Sequence, residues 1–104
     1  MARWLPQVLA RVRELAAGRR VRFTQKALHE LASLDEELDE EDACDILASL
    51  RSQDSAGRQI SETTGEWMYV FKPICGGILL YMKVILRNDC VLISVHEDHH
   101  DDYS

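Results

Sequence analysis

A single α+β domain, with N-terminal helices packed on one face of a three- to four-stranded antiparallel sheet, is the fold that these 104 residues predict. Three observations carry it. Apolar residues recur at helical spacing through the first half of the chain and alternate with period two through the second. Two turn signals, Gly76-Gly77 and Asn88-Asp89, each separate runs rich in β-branched and aromatic residues.

The turns set a register. With Asn88 and Asp89 as a two-residue turn, Arg87 faces Cys90, and counting outward sets Leu86 against Val91, Val84 against Ile93, and Met82 against Val95. That face is apolar. The other carries Leu79, Tyr81, Lys83 and Ile85 opposite Leu92, Ser94 and His96, with Tyr81 directly across from His96. The Gly76-Gly77 turn independently pairs Trp67, Tyr69 and Phe71 with Leu86, Val84 and Met82, and sets Lys72 opposite Tyr81, Val70 opposite Lys83 and Met68 opposite Ile85. Opposite side chains lie about 4.5–5.5 Å apart at Cβ, so a phenol, an ammonium, a hydroxyl and an imidazole gather on the open face. Such a patch is either an ordinary solvated sheet face or a site.

The helices come first in the chain. Trp4 to Ala17 places Leu5, Val8, Leu9, Val12, Leu15 and Ala16 on one stripe and stops at Gly18. Arg3, Arg11, Arg13, Arg19 and Arg20 lie off it, as a solvated face or a phosphate-steering surface. Thr24 caps a second helix running to about Ser33. Asp39 caps a third, with Cys44, Ile46, Leu47 and Leu50 inward, ending near Arg51, and most of the acidic run from Asp35 to Asp42 falls at its start, where carboxylates suit the helix dipole. Arg58 to Glu62 reads as a short edge strand before a Thr63–Gly65 turn. If Glu62 opposes Glu66, Arg58 shares the open face with Tyr81; a slip of one residue reverses it.

Charge is segregated: residues 1–26 carry net +6, 27–55 net −9 and the remainder net −3. This suggests one basic and one acidic patch, while the overall −6 argues against a general nucleic-acid binder. No apolar run spans a bilayer and no signal peptide is evident, so a cytoplasmic location without membrane association is expected. Cys44, Cys75 and Cys90 are in no metal-binding spacing and read as reduced core residues. The end, HEDHHDDYS, mixes His96, His99 and His100 with carboxylates; it reads as a disordered acidic tail from about residue 98, with no metal and no cofactor expected.

The segments VRFTQKAL (21–28), EWMYVFKP (66–73) and GGILLYMKVILRNDCVLISVHED (76–98) resemble the MqsR family of toxins, within the larger group of RelE-like small ribonucleases, over roughly residues 7–97. The resemblance implies a RelE-like fold and an mRNA interferase of a type II toxin-antitoxin pair. Such a protein cleaves single-stranded mRNA without a metal or the ribosome and is held inactive by a cognate antitoxin protein. That family uses a Lys in the first strand, a Gln beside the Trp, a Tyr in the third strand and a Lys near the end of the last. By position these fall on Arg58, Met68, Tyr81 and His96, of which Tyr81 alone is identical.

The implied reaction is attack of a ribose 2′-hydroxyl on the adjacent phosphate. It needs a group to take the 2′ proton, a group to protonate the leaving oxygen, and cations for the phosphoryl oxygens. Arg58 is expected as the cation, Tyr81 and His96 as the proton-transfer pair, and Lys83, Lys72 and Met68 as substrate contacts. The competing expectation is a catalytically silent relative or an acidic protein-interaction module, favoured by Met68 and the net charge. Convergence of Arg58, Tyr81 and His96 distinguishes the two.

Overall fold

The structure is a computed structural model and describes residues 2–34 and 38–98. The acidic residues 35–37 and the tail from His99 onward, with His100, Asp101 and Asp102, lie outside the described residues.

Helix α1 (Leu5–Ala17) follows Trp4 at its N-cap and carries Pro6 in its first turn, where the missing N–H costs nothing. It buries Leu5, Val8, Leu9, Val12, Leu15 and Ala16, the stripe expected. After Gly18 the chain reverses through Arg19 in the left-handed region (φ 61°), with Arg19 N–H donating to Ala16 O and Arg20 N–H to Leu15 O. This is the closing pattern that glycine usually supplies. Arg19 instead reaches Asp45 at 2.8 Å and Glu41 at 3.4 Å on the third helix. Helix α2 (Gln25–Ala32) is capped by Thr24, whose hydroxyl accepts from Ala27 N–H at 3.1 Å. Helix α3 (Glu40–Ala48) opens with a reciprocal capping box between Asp39 and Asp42 and ends three residues before Arg51.

The sheet is larger than the three to four strands expected, and it is mixed. Strands β1 (Val21–Phe23), β2 (Ser55–Ile60), β3 (Trp67–Phe71), β5 (Ile78–Leu86) and β6 (Cys90–Glu97) run in the order β1-β6-β5-β3-β2, while β4 (Ile74–Cys75) pairs only with β5. β1 is parallel to β6, Val21 beside Cys90 and Phe23 beside Leu92. Three residues between two helices give no alternation to read, and parallel pairing leaves no turn signal, so nothing local marks β1 as a strand. Beyond β1 the β6 edge is covered by α2. Thr24 N–H donates to Leu92 O, the Thr24 hydroxyl to Ile93 O, and Val95 N–H to the Glu30 carboxylate at 3.1 Å. That edge is closed to further pairing. β2 forms the opposite edge.

The Gly76-Gly77 turn behaves as its sequence demands, both glycines at positive φ, and Tyr69–Val84, Val70–Lys83 and Phe71–Met82 pair as expected. The second turn differs. Leu86, not Arg87, pairs with Cys90, so the loop has three residues, and pairing stays shifted by one through Val84–Leu92. A bulge at Ile93 restores Lys83–Ser94, Met82–Val95 and Tyr81–His96. A one-residue slip turns side chains over, so Cys90 and Leu92 enter the core and Val91 moves to the open face, reversing the expected facing there. Phe71, Met82, Val84, Cys90, Leu92 and Val95 are at most 1% exposed against Val12, Leu15, Ala16, Leu47 and Leu50 of the helical layer. Each Val, Leu, Phe and Met among them contributes about 1.5–3 kcal/mol by burial. Among the described residues no helix is long and apolar enough to cross a membrane.

Arg87, released from its expected pairing, forms a two-pronged ion pair with Glu66 at 2.7 and 2.8 Å. The guanidinium holds the Glu66 carboxyl at about 2, below its ordinary 4.5. A carboxyl that binds its proton more weakly when folded stabilises the fold above its unfolded value and stops doing so as pH falls to the folded one. Urea denaturation of Glu66→Gln beside the parent chain is therefore expected to show a small stability deficit that is full above pH 4.5 and shrinks as pH falls toward 2. A deficit constant across that window would assign Glu66 a role other than this ion pair.

Candidate functional site

On the face of β5 and β6 away from α1, alternation brings out Tyr81, Lys83, Ser94 and His96. Tyr81 and His96 are a direct cross-strand pair, and their rings stack at 4.8 Å between centroids with only 10° between planes. His96 Nδ1 lies 3.1 Å from the Glu97 carbonyl oxygen. A carbonyl only accepts, so this contact is a hydrogen bond when Nδ1 carries the proton, which leaves Nε2 as the nitrogen of a neutral ring able to take one up.

Two ammonium groups flank the phenol ring, Lys83 Nζ at 5.9 Å and Lys72 Nζ at 6.0 Å from its centroid. Lys72 stands where the Gly76-Gly77 register places it, just past β3, its N–H donating to Asp54 O at 2.7 Å. Its charge is met by Asp98 at 3.2 Å. No carboxylate pairs with Lys83 among the described residues. Met68 faces the same side, half-buried, opposite Gln59 on β2.

Arg58 does not join them. It pairs with Tyr69, not Val70, so β2 carries the one-residue alternative register and Arg58 points to the helix side. The shift begins at the turn, where Ser61 N–H donates to Glu66 O in place of the expected Glu62–Glu66 pairing; a bulge between Ser55 and Arg58, with Gly57 at φ 97°, follows farther along β2. Arg58 instead stacks on Trp67 and Trp4. The role expected for it at the scissile phosphate therefore has no geometric basis, and the Arg58–Tyr81–His96 convergence is replaced by Tyr81 and His96 with lysines.

One of those lysines was not expected. Lys26, from the first turn of α2, reaches Ser94 Oγ at 2.6 Å and Glu30 at 3.3 Å, while the other Glu30 oxygen accepts from Val95 N–H. Ser94 is 3% exposed and sits between Lys83 across the strand pair and His96 two residues on. The available signal was the spacing of Lys26 and Glu30, one turn apart on one helix face. What it could not reveal was the edge of β6 that this face covers.

Cys44 and Cys90 are buried and unsuited to act as nucleophiles. Burial pushes the Cys90 thiol up to about 12 and raises that of Cys44, so neither is thiolate near neutrality. A cleft of about 520 Å³ between α3 and the β4 region includes Lys72 and Ile74 on its walls but neither Tyr81 nor His96. Of the grouped polar side chains, Tyr81, Lys83 and His96 are half-buried on the sheet face and Ser94 is buried. No family model matches the chain, and no curated protein matches it significantly.

The Glu30 bridge gives a direct test of the arrangement. Glu30→Ala leaves Val95 N–H without its acceptor and the Lys26 ammonium without its carboxylate, with Ser94 Oγ alone still holding the lysine, and is expected to destabilise the fold by about 1–3 kcal/mol in denaturant titration. A loss within about 0.5 kcal/mol, the range of an uninvolved surface change, would mean that the bridge does not hold Lys26 in place.

Proposed function

We propose that this chain is a toxin-type endoribonuclease that cleaves single-stranded mRNA without a metal cofactor and is restrained by a cognate antitoxin protein. The observation that carries the reading is the stacked Tyr81–His96 pair on an open sheet face with two lysines beside it. The resemblance of residues 21–28, 66–73 and 76–98 to MqsR toxins supplies the substrate class.

In the proposed reaction the 2′-oxygen bonds to phosphorus, its proton passes to a base, and the bond to the 5′-oxygen breaks as that oxygen is protonated. The products are a 2′,3′-cyclic phosphate and a free 5′-hydroxyl. The His96 imidazole can serve either proton transfer, with Nε2 as the available nitrogen. The Tyr81 hydroxyl is the second proton-transfer group. Lys83 is the cation best placed for the phosphoryl oxygens, and Lys26, fixed through Glu30 and Ser94, adds positive potential on the same face.

A silent binding protein of the same fold is the competing reading. It is favoured by Arg58, which faces away, and by Lys72 and Lys26, which already have carboxylate partners.

The purified chain is expected to cut single-stranded RNA in excess EDTA, leaving cyclic phosphate ends. His96→Ala and Tyr81→Phe are each expected to lower turnover by about 10²–10⁴-fold, and the double variant by much less than the product. Activity that vanishes in chelator and returns with a divalent ion would replace this mechanism. Intact RNA, with normal growth when the chain is expressed alone, would leave the binding reading.

A further inference from the structure

Both tryptophans of the chain lie against one arginine. The Arg58 guanidinium carbon is 3.7 Å from the Trp67 ring centre and 5.0 Å from that of Trp4, and Trp4 tilts against Tyr69 with centroids 5.4 Å apart. Core packing accounts for Trp4 and Tyr69, which are partly buried against the core, but not for Trp67, which is 39% exposed beside an Ile60 that is 53% exposed. Nor does ion pairing, because no carboxylate pairs with Arg58 among the described residues. A guanidinium stacked through its face keeps its N–H edge for an anion. An exposed aromatic ring beside a planar, unpaired cation is a means by which proteins hold single-stranded nucleic acid, a base against the ring and a phosphate at the guanidinium.

The location fits. β2 is the last strand of the sheet, so its backbone alone divides this stack from the open face, with Arg58 and Trp67 on one side and Gln59 and Met68 on the other. At the bulge, Gly57 has nothing within 4 Å of the place a Cβ would take, so the rim is bare there.

We infer that Trp67 and Arg58 form a nucleobase-stacking subsite for single-stranded RNA, holding a nucleotide that has crossed the β2 rim away from the bond cleaved at Tyr81 and His96. The ligand class rests on the RNA-cleaving reading, but the test does not need cleavage. Because both tryptophans are in the stack, intrinsic fluorescence reports on it directly. The probe is a short single-stranded 2′-O-methyl oligonucleotide of mixed sequence, which lacks the attacking hydroxyl and stays intact.

Titration is expected to quench the tryptophans and saturate. Trp67→Ala and Arg58→Ala should weaken binding by about ten-fold, the scale of one lost base stack. Arg58→Lys, which keeps the charge without the plane, should resemble Arg58→Ala and not the parent. Circular dichroism and melting confirm that each variant is folded. No binding, binding without quenching, or parental affinity in Arg58→Lys and Trp67→Ala would overturn the subsite; so would quenching by an extended polypeptide alone. Quenching by the oligonucleotide with no RNA cleaved would remove the proposed reaction and leave the subsite, and cleavage with silent tryptophans would do the reverse.

Discussion

In the β5–β6 ladder a single unpaired residue, Ile93, sets which side chains meet the helices and which meet solvent. On the turn side of it, Cys90 and Leu92 face the core; on the far side, Val95 does. Without the bulge, the pairing that begins at Leu86–Cys90 would carry on unshifted. Ser94 and His96 would then turn inward and Val95 outward, burying a hydroxyl and an imidazole at a cost of several kcal/mol unless partnered. The stacked Tyr81–His96 pair therefore depends on a backbone irregularity three residues away. The same strand anchors β1 on its other side and offers Leu92 O, Ile93 O and Val95 N–H to α2, so the position of Lys26 depends on it as well.

Part of the segregated charge is paired within the fold. Arg19 of the basic segment meets Glu41 and Asp45 of the acidic one, and Arg20 and Arg22 meet Asp89 in the β5–β6 loop. These pairs are solvent-facing and contribute little to stability. Their consequence is spatial. Arg19, Arg20 and Arg22 are tied to the third helix and the hairpin loop, while the positive groups near Tyr81 and Ser94 are lysines from α2, β5 and the end of β3.

The two edges of the sheet are treated differently, and each treatment bears on the proposed function. At β6 a helix lies along the edge, and its side chains satisfy the backbone and fix a cation near Ser94. At β2 the edge is free, twisted by a bulge and lined by exposed Trp67 and Ile60. An RNA strand lying across the open face would run from the first of these regions toward the second, past Met68 and Gln59.

Features that rest on local chemistry were legible in the residues alone. Thr24 and Asp39 cap their helices because a side-chain oxygen needs only a backbone N–H three residues on. Gly76 and Gly77 accept positive φ at no cost, so the β3–β5 register and the facing of Tyr81, Lys83, Lys72 and Met68 follow from counting. Tyr81 across from His96 also follows, although the turn residue and the bulge each displaced the count by one and their effects cancelled. Only the tertiary structure decided the rest. β1 is a strand because β6 lies beside it, and Lys26 belongs to the open face because α2 covers the β6 edge. Arg58 faces the tryptophans because pairing with β3 resumes one residue away from the register that would turn it outward. In each case the deciding partner is distant along the chain, and a slip of one residue exchanges the faces without altering the local pattern of apolar and polar residues.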